Sequence, residues 1–121
     1  MAGYTTEGKA VMLGALRTAI DEISLHTADP GTDGSNEVSG GGYVRADGTY
    51  ITFAAVSGGE FTLENDVDFS GPAGNIALYF GIWQSETFLG SGLITGDTTF
   101  NSEGEFTLQA ATSINLNLEC S

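Results

Sequence analysis

The sequence predicts a mainly β protein, an antiparallel β-sandwich or jelly-roll-like domain preceded by one N-terminal α-helix. Three observations carry that expectation. Apolar residues recur at helical spacing only near the start of the chain. From about residue 48 onward the apolar period shortens to two, as in strands with one wet face. Turn-forming pairs then separate the alternating runs at intervals of about 8–12 residues.

The helix is expected over residues 6–22, with the β body following over 23–119. Met12, Leu16, Ala19, Ile20 and Ile23 fall at three- and four-residue spacing and make one apolar stripe. Thr5 or Thr6 can cap the first turn, where Glu7 also favours the helix dipole. Gly14 weakens the element by about 1 kcal/mol relative to alanine, so the helix needs packing support. Pro30 bars its continuation. If the β body cannot cover the whole stripe, Met12, Leu16, Ile20 and Ile23 form a candidate interface with another chain.

Seven or eight strands follow. "GTYITFAAV" (48–56), "EFTLE" (60–64) and "DVDFS" (66–70) alternate, with Phe61, Leu63, Val67 and Phe69 on the apolar side. "NIALYFGIWQ" (75–84) is apolar almost throughout, as befits a central strand buried on both faces. "TFLGSGLITG" (87–96), "GEFTLQA" (104–110) and "SINLNLE" (113–119) complete the set, the last with Ile114, Leu116 and Leu118 inward. Turns are expected at Asp47-Gly48, Gly58-Gly59, Gly71-Pro72, Ser85-Glu86, Gly96-Asp97 and Glu103-Gly104.

A chain of 121 residues with 40% hydrophobic content fits one domain over 1–121 with a single core. Sixteen acids against Lys9, Arg17 and Arg45 leave a net charge of −13. That field repels phosphates and anionic lipid, which argues against nucleic-acid and membrane-surface roles. Cys120 stands alone, so an intrachain disulfide and a paired-cysteine zinc site are excluded. The opening "MAGYTTEGKA" lacks the basic-then-apolar pattern of a secretory signal, and synthesis in a cytoplasm is expected.

Chemistry-bearing motifs are weak. The loop "DPGTDGSNE" offers Asp29, Asp33, Asn36 and Glu37, but a calcium loop would need a ligand where Gly31 stands and a glutamate where Gly40 stands. These four residues instead suit contact with a partner. Glu60, Glu64, Asp66 and Asp68 read as a solvated strand face. The glycines at 40–42 precede a strand, whereas phosphate cradles open a helix, and they permit positive φ where side chains would clash. His26, the single histidine, could serve a triad with Ser24, Ser39 or Ser57, yet no nucleophile-elbow pattern occurs. A structural histidine is the expectation, with no catalytic residue, no metal and no cofactor. Tyr43, Tyr50, Tyr79, Trp83 and Phe88 could form a sugar platform, although Tyr79 and Trp83 lie on the most apolar strand and read as core.

The runs "SLHTADPGTDGSNEVSGGGYVR", "LYFGIWQSETFLGSGLIT" and "GEFTLQAATSINLNL" resemble a family of small virion proteins of tailed bacteriophages, of the tail, tail-fibre or decoration type. The likeness rests on Leu25 to Pro30, Glu37 to Tyr43 and Phe80 to Ile82, and departs over the acidic stretch 60–72. It implies a structural virion part without fixing its place in the collar, fibre or decoration layer. The first functional expectation is a component that docks on other virion proteins and self-associates, by closed symmetry as a trimer or ring. The likeness carries no catalytic residue. The alternative is a receptor- or glycan-binding module that meets a host-surface glycan.

Overall fold

The computed structural model describes residues 2–3, 5–48, 51–57, 60–94, 98–109, 113–115 and 119–120. The expected turns at 58–59 and 96–97, together with Tyr50, Leu116 and Leu118, lie outside them. The fold is mainly antiparallel β with one helix, as expected. Helix α1 spans Thr6–Ala19, and Thr5 caps it by accepting from the Gly8 amide. Strands β2 (Glu22–His26), β3 (Ala46–Asp47), β6 (Tyr79–Gln84) and β7 (Thr87–Leu93) form a sheet in the order β3-β2-β6-β7. Two-stranded ladders join β4 (Glu60–Thr62) to β9 (Ser113–Asn115) and β5 (Val67–Ser70) to β8 (Glu105–Leu108). A third pairs the terminal strands β1 (Ala2–Gly3) and β10 (Glu119–Cys120).

The helix ends earlier than its periodicity suggests. Ile20 is already extended, at φ −69° and ψ 120°, because Glu22 and Ile23 are claimed by strand pairing with β3 and β6. The stripe also shifts. Leu13 is fully buried, while Met12 is half-exposed; adjacent positions on a helix differ by about 100°, and only the tertiary contact chooses between them. Ile20 and Ile23 are core residues, 8% and 1% exposed, so this chain itself covers them.

The described part of the segment 48–56 does not form a full strand: Phe53 bridges Leu63, and just beyond the segment Ser57 bridges Glu60. The Phe53 and Ala54 carbonyls accept instead from Arg17 of the helix, at 2.6 and 2.9 Å. That side chain ties α1 to the β body.

β6 is the central strand. Phe80 and Ile82 pair with Leu25 and Ile23 and face the main core with Phe61, Leu63, Phe69, Phe100 and Phe106. Burying each such side chain stabilises the fold by roughly 1.5–3 kcal/mol. The alternate residues of β2 and β6, Ser24, His26, Gly81 and Trp83, face the other way. All four are buried nonetheless, because the loop after β2 folds over that face.

Candidate functional site

The loop 27–45 is built by local chemistry. Asp29 Oδ1 accepts from the Gly31 amide at 2.8 Å, and the Gly34 and Ser35 amides return to the Pro30 carbonyl. The chain then runs back beside β2, bridging Glu37 to His26, with the Val38 amide on the Leu25 carbonyl. Gly34, at φ +79°, lies so close to Trp83 that a Cβ would sit 2.6 Å from the indole. Gly40, Gly41 and Gly42 all have positive φ, 90°, 61° and 79°, as the loop's glycine run implied.

Beneath this loop lies a buried polar chain. The Trp83 indole N–H donates to Ser24 Oγ at 2.7 Å. Ser24 Oγ and His26 Nε2 are 2.6 Å apart, and His26 Nδ1 is 2.8 Å from the Ser35 carbonyl oxygen. A carbonyl only accepts, so Nδ1 carries a proton. In the neutral ring Nε2 then accepts from the Ser24 hydroxyl, whose oxygen accepts from the indole. Burial favours that neutral form, lowering the His26 pKa below the ordinary 6.5, with the Ser35 carbonyl and Glu37 opposing. Phe88 packs edge-on against Trp83, at 5.1 Å between ring centres.

Arg45 closes the cluster. Its guanidinium lies 3.5 Å from the centre of the Trp83 ring. It also grips Glu37 with two bonds of 3.0 Å and reaches Glu22 at 3.3 Å. The Glu37 bonds, foremost, raise the Arg45 pKa. Tyr43 donates to Glu37 and accepts from the Leu25 amide, and burial pushes its phenol far above the usual range.

The structure thus brings Ser24 and His26 together as a nucleophile and base would be. Both are 0% exposed, and the serine oxygen is occupied by the indole N–H. No attacking atom faces solvent. Ser39 and Ser57 are exposed, and Ser57 bonds Glu60 through the backbone. The loop acids separate by role. Asp29 holds Gly31, and Asp33 accepts from the Ser35 hydroxyl and amide, which hold its carboxyl below the usual range. Asn36 donates to the Asp29 carbonyl, and Glu37 serves Arg45. Among the described residues no three His, Cys, Asp or Glu side chains gather as a metal site.

Two of the sugar-platform candidates are committed elsewhere, and Tyr50 lies outside the described residues. Trp83 is 6% exposed, and Tyr43 is half-buried against Phe69 with its hydroxyl engaged. The interlocking of Ser24, Arg45 and Trp83 had no signature in the sequence, since 59 residues separate the bonded Ser24 and Trp83.

A family model described as "Podophage GP4 fiber I protein gp80" matches residues 22–115, from the start of β2 to the end of β9. No curated protein and no solved structure matches the chain.

Proposed function

The chain belongs to the podophage GP4 fiber I protein gp80 family, and from that premise we propose a non-enzymatic accessory of the tail fibre that acts by self-association and docking. Its role is structural, in the virion, in association with other phage proteins. The observation that carries the reading is the family match over the whole span from β2 to β9. The sealed Ser24–His26 pair supports the non-enzymatic part, because neither atom meets solvent. We read the chain as one sandwich-type domain over 1–121.

Of the two interfaces open to such a protein, the sheet edge is better suited than the helix stripe. Ile20 and Ile23 are in the core, which leaves only Met12 and Leu16 of that set partly exposed. β7 is the outer strand of the four-stranded sheet, and Thr87–Leu93 contains no charged residue on a chain of net charge −13. Two such acidic copies can approach most easily along an uncharged stripe. Leu93, 66% exposed, stands at its end.

Sedimentation velocity over a range of concentrations tests this. The expected result is a closed oligomer that Leu93→Asp shifts to monomer without lowering the melting temperature. A wild-type chain that stays monomeric at every concentration would remove self-association.

A further inference from the structure

Residues 27–36 form a flap over the face of β2 and β6 that is turned away from the main core. The Thr27 amide closes its base on the Asn36 carbonyl at 2.9 Å, and Asn36 Nδ2 reaches the Asp29 carbonyl at 3.0 Å. Beneath it lie His26, Ser24 and Trp83, all buried. The flap itself is thinly attached. Of its residues only Pro30 is buried, and all the others except Gly34 are exposed. The Ser35 carbonyl ties it to His26 Nδ1, and Gly34 rests against the rings of Trp83 and Phe88. A segment that buries so little apolar surface opens at far lower cost than the core.

His26 and Ser24 make the closed flap sensitive to a single proton. In the neutral ring Nε2 accepts the Ser24 hydroxyl, and that oxygen takes the indole N–H. An imidazolium has two donors, so its Nε2–H turns on Ser24 Oγ and displaces the hydroxyl proton from its acceptor. Ser24 Oγ bonds no other group among the described residues. The new charge also sits at a residue that is 0% exposed. Water relieves both costs. Since β2, β6 and β7 are bound into one sheet by their ladders, the flap is the cover that can lift.

The charged groups around the ring leave this proton in control. Glu37, bridged to His26 from the loop, favours it but is gripped by two bonds from Arg45, which opposes it. On β2, Glu22 also meets Arg45. On β6 the cross-strand partner of His26 is Tyr79, and on β7 its neighbour is Phe88, with ring centres 6.1 Å apart. Tyr43 donates to Glu37, and burial pushes its phenol far above the usual range. Within the flap, Asp29 holds the Gly31 amide. Asp33 holds Ser35, whose bonds keep the Asp33 carboxyl below the usual range and so charged throughout. At the ring itself burial outweighs the Ser35 carbonyl and Glu37. We propose that protonation of His26 opens the flap 27–36 and bares Trp83 to solvent while the β body stays folded.

Hydrogen exchange followed by NMR on the full chain, corrected for the intrinsic effect of pH, tests the proposal. Trp83 is the only tryptophan, so its indole signal is unambiguous. Protection of that indole and of the Thr27, Gly34 and Ser35 amides should fall below pH of about 6.5, by up to about tenfold per pH unit. The amides of the β5–β8 ladder should keep theirs, and the His26 ring signals should titrate in step with the flap. A ring that takes its proton under a protected flap would overturn the proposal. So would loss of protection in flap and ladder together. His26→Gln should remove the pH slope from the flap; a slope that survives this change comes from other groups and overturns the proposal as well. Should that variant fail to fold, the ring titration of the unaltered chain decides by itself.

Discussion

Ser24 Oγ is the pivot of the buried polar chain, since it receives the Trp83 indole N–H and faces His26 Nε2. Trp83→Ala should cost about 3–5 kcal/mol in denaturant unfolding, from lost packing and a stranded hydroxyl. Trp83→Phe should cost less, because the ring volume largely remains. An equal cost for both would show that the indole hydrogen bond dominates the site. His26 sets a pH dependence whose sign follows from its lowered pKa. The unfolded chain takes a proton near 6.5, and the folded chain resists it until lower pH. Stability is therefore fully present above about 6.5 and falls as pH drops from there toward the folded value. The groups near the ring are Glu37, which favours the proton, and Arg45, which opposes it. His26→Gln should flatten this part of the stability profile; an unchanged slope would assign it to the carboxylates instead.

At the level of elements, the loop 27–45 packs over one face of the central sheet, and its glycines fix how closely it lies. Gly40 and Gly41 both have positive φ, so alanine strains either one. Around Gly40 there is open space, whereas a Cβ on Gly41 would collide with the backbone of Gly71 and Pro72. Gly41→Ala should therefore destabilise by about 2 kcal/mol more than Gly40→Ala, measured by thermal unfolding at matched conditions. Similar costs would mean that the loop yields at this contact. The bulge between Ile82 and Trp83 in the β6–β7 ladder serves the same packing, since the shifted register pairs Phe88 with Trp83.

For the molecule as a whole, charge is the organising quantity. Two of the three basic residues are spent internally, Arg17 on carbonyls of 53–54 and Arg45 on Glu37 and Glu22. The net charge of −13 opposes association of copies. Salt screens such repulsion over about 10 Å at 0.1 M, so the oligomer proposed along β7 should tighten as ionic strength rises. Weakening with salt, read by sedimentation, would instead point to an interface held by ion pairs. In the proposed reading the acidic surface holds copies apart everywhere except along the uncharged β7 edge.

The sequence by itself determined what depends on neighbours along the chain. Alternation placed Phe61, Leu63, Val67 and Phe69 inward, and all four are buried. The apolar run around Trp83 marked the central strand, and the glycines at 40–42 marked positive φ. The tertiary structure decided whatever required a choice between distant partners. It ended the helix at Ala19, because β2 needed Glu22 and Ile23 for pairing. It diverted the carbonyls of 53–54 to Arg17 and joined Ser24 to Trp83. Periodicity reports which side of an element is apolar, but it carries no information about which remote group will meet it. That meeting is fixed only when loop closure and core packing are satisfied together.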